Sequence, residues 1–105
     1  MELNEYQEKA VTTKLGTSTL GYMILALVGE AGEVANKYKK VLRGDTTLTP
    51  EVIDDLGSEL GDVLWYVACA AELLGMDLDE IATWNLEKLK DRQARGVIKG
   101  TGDKR

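Results

Sequence analysis

Between residues 19 and 42 apolar side chains recur at three- and four-residue intervals (Leu20, Met23, Leu27, Ala31, Val34, Tyr38), the period of a helix with one buried face. Gly44 follows where a left-handed C-terminal cap belongs. Thr49-Pro50 then reads as an N-cap with proline in the first turn, opening a helix striped by Val52, Leu56, Leu60, Val63, Val67 and Leu74 and closed by Gly75. Asp77 with Glu80 forms a capping-box pattern for a further helix to about Arg95. At the start of the chain, Asn4 and Gln7 read as another N-cap and box partner, for a helix to about Leu15 that ends at Gly16-Thr17-Ser18. No segment shows the alternation of a strand, there are no repeats, and the connections are short. The pattern predicts an all-α bundle of four main helices, followed by a glycine-rich, mobile tail from Gly96. Arg43-Gly44-Asp45, although it matches an adhesion tripeptide, falls in the turn between the second and third helices.

Composition narrows the chemistry. The chain has 105 residues, so one domain over residues 1–105 is expected, with its core in 4–95, its tail in 96–105, and a size at which oligomerisation often completes the burial of apolar surface. It contains no histidine, which excludes a Ser-His-Asp triad, a Cys-His pair, a histidine-ligated zinc and a Glu-x-x-His di-metal helix. Any general base must then be a carboxylate, lysine, tyrosine or metal-bound hydroxide. Cys69, the one cysteine, lies in an apolar run and reads as a small core residue. The start has no positive segment leading an apolar one, and runs such as residues 22–28 fall far short of the roughly 20 that span a bilayer, so a cytoplasmic protein without a membrane partner is expected.

The net charge of −5 argues against a nucleic-acid polymer as partner. The charge is unevenly spread: residues 86–105 hold seven bases and three acids, leaving an acidic body before them. Such a division suits metal ions in one region and the phosphates of a small ligand in another, or else the basic segment is a solvated tail.

Two helices break their own pattern. Glu30, three residues after Leu27 and four before Val34, stands on or beside the buried stripe, where an unpaired carboxylate is costly. Glu30, Glu33 and Lys37 share one line along the second helix; Asp55, Glu59, Asp62 and Tyr66 share a comparable line along the third. If these helices pack antiparallel, two i,i+3 acid pairs converge. Four like charges at one point call for raised pKa values or bound cations, and oxygen-only ligands suit Mg²⁺, with Mn²⁺ as a substitute. Gly29, Gly32, Gly57 and Gly61 flank these acids, each at roughly 1 kcal/mol relative to alanine, which suggests that backbones approach closely there.

Gly29-Glu30-Ala31-Gly32-Glu33-Val34, then Glu59-Leu60-Gly61-Asp62, resembles the Glu-x-x-Glu … Glu-x-x-Asp signature of the MazG-type all-α nucleoside triphosphate pyrophosphohydrolases. Trp84 to Arg92 is similar to the family's Asn-x-x-Lys-x-x-x-Arg segment, so the likeness extends over residues 20–102. One departure is clear: many members have Glu-Glu-x-x-Glu, whereas here Gly29 stands in place of the first acid.

The resemblance implies hydrolysis of a (deoxy)nucleoside triphosphate to the monophosphate and pyrophosphate, with water attacking the α-phosphorus. Glu30, Glu33, Glu59 and Asp62 would bind the Mg²⁺ ions, and Glu30 is the candidate base. Lys88 and Arg92 would neutralise β- and γ-phosphate charge or else lie on a solvated helix face; Asn85 would meet a base or sugar edge or pack at a helix edge. Tyr66 is placed for a sugar or base contact. Lys37 contacts phosphate or pairs with Glu33, and Trp65 and Trp84 are expected in core or subunit packing rather than stacked on a base. The family's sites depend on homodimers or homotetramers, which agrees with the broad apolar surface of the second and third helices. Two alternatives stand beside this reading: a non-catalytic helical oligomer or regulatory module of the same fold, hinted at by Gly29, and a di-iron bundle, disfavoured by the missing histidines.

Overall fold

In a computed structural model that describes residues 1–105, four α-helices follow one another: α1 (Leu3–Val11), α2 (Leu20–Leu42), α3 (Pro50–Leu73) and α4 (Leu78–Ala94). The fold is an all-α four-helix bundle without strands. Three helices start on side chains that satisfy otherwise free amides: the Tyr22 amide donates to Thr19 Oγ1 (3.1 Å), that of Val52 to Thr49 Oγ1 (3.2 Å), and that of Glu80 to Asp77 Oδ1 (2.8 Å). Glu80 completes its box by accepting from the Asp77 amide. These helices end on Gly44, Gly75 and Gly96, where six-residue turns are closed by amides donated to the Lys40, Ala71 and Arg92 carbonyls. Gly44 (φ +86°) is thus the turn within Arg43-Gly44-Asp45, and the Arg43 guanidinium pairs with Asp45 across it.

The first helix departs from its expected start. Glu2, without a side-chain cap, precedes α1, and the proposed box residues act elsewhere. Asn4 Oδ1 accepts from the Asp79 amide (3.0 Å). Gln7 is buried, donates to the carbonyls of Ala68 (3.2 Å) and Met76 (3.0 Å), and accepts from the Leu78 amide (3.0 Å). One amide therefore joins α1 to the end of α3 and the start of α4, with its polar groups satisfied inside the protein. The helix also stops at Val11 rather than Leu15. Thr12 and Thr13 hydroxyls donate back to the carbonyls of Lys9 (2.6 Å) and Ala10 (2.7 Å), and the Trp65 indole reaches Ala10 O (3.2 Å), so these acceptors serve a tight turn.

Packing is strongest between α2 and α3; α1 lies on α3, and α4 packs on α1 with no comparable contact to α2 or α3. One small core gathers Ala10, Ala68, Ala71 and Leu78, and another gathers Met23, Cys69 and Ala70. Burial pushes the Cys69 thiol up, as fits an inert core residue. Only 9 of 105 residues are buried, and the radius of gyration is 16.4 Å, against about 13 Å for a compact chain of this length. Leu25, Val28, Ile53, Leu60 and Leu64, all on α2 and α3, remain exposed. The helices thus carry more apolar surface than one chain covers. No helix is long and apolar enough to cross a membrane.

Candidate metal and nucleotide site

Glu30 on α2 and Glu59 and Asp62 on α3 bring one carboxylate oxygen each to within 4.8 Å of one another. The i,i+3 spacing places Glu59 and Asp62 on one helical face, and the α2–α3 packing brings that face to Glu30. Glu30 and Glu59 are half-buried, while Asp62 opens to solvent. Desolvation raises the pKa of Glu30; Glu59 within hydrogen-bonding reach and the charges of Asp62 and Glu33 push it the same way. Such a group holds a proton more readily than an ordinary glutamate.

Glu33 lies one turn along α2, exposed and outside the three-carboxylate cluster, although its charge still reaches Glu30. Lys37 pairs across the helix interface rather than with Glu33: its ammonium is 3.0 Å from Glu59 Oε1 and 3.5 Å from Asp55 Oδ2. The Glu59 side chain in that pair is 16% exposed, so the contact is shielded from water on the carboxylate side. Tyr66, one turn beyond Asp62, borders the cluster; desolvation, the neighbouring Tyr22 hydroxyl and the Glu30 charge hold its phenol above the usual range.

Three hard oxygen donors at this separation, of which only Glu59 is paired with a lysine, fit a divalent cation by donor type. The glycines beside the acids do not serve close approach within the chain, as the sequence suggested. A Cβ added at Gly29, Gly32, Gly57 or Gly61 would meet nothing within 4 Å.

The α4 residues occupy a different region. Arg92 is buried and Lys88 half-buried, both held by the C-terminal segment, while Asn85 is exposed. Because α4 packs on α1, these residues are not gathered with Glu30, Glu59 and Asp62 by packing within one chain. Trp65 sits in the α1–α3 packing, with its indole donating to Thr13 Oγ1 (2.8 Å) and its ring edge-on to Tyr66 at 4.9 Å; Trp84 is exposed.

A helical pair that gathers three carboxylates is a candidate site for a divalent cation of the kind metal-dependent hydrolases use. Residues 18–97 match the MazG nucleotide pyrophosphohydrolase domain, and the chain belongs to that family. It is 54% identical over 87 residues to the Gene 37 protein of Mycobacterium phage L5, covering 82% of this chain and 76% of that protein. No solved structure matches it significantly. Pyrophosphohydrolase-type activity with a candidate acidic metal site is therefore the functional class of the chain.

Proposed function

We propose that the protein hydrolyses a (deoxy)nucleoside triphosphate to the nucleoside monophosphate and pyrophosphate, with water attacking the α-phosphorus, as part of nucleotide-pool housekeeping in the cytoplasm. The observation that carries this reading is the convergence of Glu30, Glu59 and Asp62 in a chain of the MazG family. These residues, with Glu33 beside them, would hold Mg²⁺, or Mn²⁺ in its place. Bound there, the metal supplies positive charge to phosphate oxygens and acidifies water.

Glu30 would take the proton from the attacking water. Its place beside the cluster keeps the base near the reacting centre. Lys37 holds Glu59 in place and leaves one ammonium edge for a phosphate. Tyr66 contacts the nucleoside, and Asn85 meets the base or sugar edge. Lys88 and Arg92 take the β- and γ-phosphates.

Beyond its start, where Leu78 meets the end of α3, α4 packs on α1, which favours a site completed by a second copy, whose α4 would bring its cations to the acid cluster. Exposed Leu25, Val28, Leu60 and Leu64, interleaved with glycines that face open space, suit helix packing in a homodimer or homotetramer.

The direct test is a panel of ribo- and deoxyribonucleoside triphosphates incubated with Mg²⁺, with pyrophosphate and orthophosphate measured separately. Pyrophosphate with monophosphate is expected. Release of orthophosphate alone would place cleavage at the γ position, and no cleavage of any triphosphate would favour the non-catalytic module suggested by Gly29.

A further inference from the structure

The segment after α4 folds back on the helix that carries the proposed phosphate-binding cations. Lys88 and Arg92, one turn apart, both point to Asp103, the only acid after Asp91. Lys88 Nζ is 2.6 Å from Asp103 Oδ1, and Arg92 Nη2 is 3.2 Å from the same oxygen while also donating to the Asp103 carbonyl. These cations hold the Asp103 carboxyl below the usual carboxylate range.

The return is built by the segment itself. Gly96 (φ +72°) turns the chain off α4, and Gly102 (φ +86°) turns it again just before Asp103. The Arg105 guanidinium then fastens the loop from inside, donating to the carbonyls of Val97 (2.9 Å), Ile98 (2.9 Å) and Gly102 (2.8 Å). Arg95 donates to the Arg105 carbonyl (2.5 Å), tying the chain end to the helix.

The arrangement has a strong side and a weak side. Arg92 is 7% exposed, so its guanidinium needs an anionic or carbonyl partner at all times. The Asp103 side chain is 75% exposed, and it offers a single negative charge to two cations. An oligophosphate brings several charges and more acceptor oxygens to the same pair, and so outcompetes one solvated carboxylate.

We infer that Asp103 is a displaceable internal surrogate for a substrate phosphate: it occupies Lys88 and Arg92 in the free protein and yields them when a triphosphate or pyrophosphate binds. This inference rests on the reading of Lys88 and Arg92 as phosphate ligands. The carboxylate keeps the buried guanidinium paired between turnovers, and its return competes with bound pyrophosphate.

The test uses the full chain with Mg²⁺ and inorganic pyrophosphate as probe, comparing wild type with Asp103→Asn by calorimetry and by the rate of tryptic cleavage after the exposed Lys99. Pyrophosphate is expected to speed this cleavage in the wild type. Asp103→Asn should be cleaved fast without pyrophosphate and bind it about two- to fivefold more tightly, with KM for a hydrolysed triphosphate lowered by a similar factor. Equal pyrophosphate affinity in the two proteins, unaltered cleavage on binding, or no pyrophosphate binding by either would overturn the inference. Binding that survives Lys88→Ala/Arg92→Ala undiminished would do the same. Failure to hydrolyse any triphosphate would refute the proposed activity instead, since pyrophosphate competition is read without turnover.

Discussion

The Lys37 ammonium on α2 stands 3.0 Å from the Glu59 carboxylate on α3, and it is the one cation paired with the acid cluster that Glu59 shares with Glu30 and Asp62. Removing it leaves like charges facing one another. Lys37→Met is expected to lower the melting temperature of the metal-free protein by a few degrees. Millimolar Mn²⁺ should recover more stability in this variant than in the wild type, as thermal melts with and without the ion will show.

Glu59 lies at the centre of that arrangement, in contact with both the lysine and the Glu30 carboxyl. Glu59→Gln keeps the shape of the side chain and removes its charge. Triphosphate turnover is expected to fall by at least about a hundredfold, beyond the range seen when only a ligand's supporting partner is lost. The far-ultraviolet circular dichroism spectrum should stay helical.

The raised pKa of Glu30 gives a pH dependence with a definite sign. Above the ordinary glutamate value the unfolded chain has already lost this proton while the metal-free native protein still holds it. Stability attributable to Glu30 is therefore full at lower pH and falls as pH rises through the ordinary value toward the raised one. Cation binding must expel the same proton, so Mn²⁺ affinity should weaken on acidification sooner than at an ordinary carboxylate site. Glu30→Gln should flatten the stability slope in chemical denaturation measured across this pH range.

Gln7 makes three hydrogen bonds from a buried position. Gln7→Leu would leave the Met76 carbonyl and the Leu78 amide without their partner, and remove the second hydrogen bond of the Ala68 carbonyl, where water has little access. A loss of about 1–3 kcal/mol is expected in urea unfolding, with faster amide exchange at the start of α4.

Gly61 separates the fold of one chain from an assembly of chains. With nothing within 4 Å of an added Cβ, Gly61→Leu should raise helix stability in a lone chain by somewhat under about 1 kcal/mol. Where a second copy packs against this face, the same leucine holds the helices apart. Sedimentation is expected to show a shift toward monomer in the variant, accompanied by loss of triphosphate hydrolysis.

Much of the protein is set by short-range physics that a sequence displays directly. Thr19, Thr49 and Asp77 cap their helices because a side-chain oxygen needs only its own next turn, and Gly44, Gly75 and Gly96 end them because left-handed backbone is a local property. The acid lines of α2 and α3 follow from helical spacing alone. The tertiary structure decided whatever depends on partners far along the chain. Asn4 and Gln7 have the spacing of a capping box, but their partners are 61–75 residues away, where the Ala68 and Met76 carbonyls and the Leu78 and Asp79 amides outweigh a local cap at an exposed helix end. Likewise Lys37 turned to Glu59 rather than Glu33, Glu33 stayed outside the cluster, and the tail closed on Lys88 and Arg92 through Asp103. A helical period fixes the face on which a charge stands; the opposing charge it meets is set only when the helices pack.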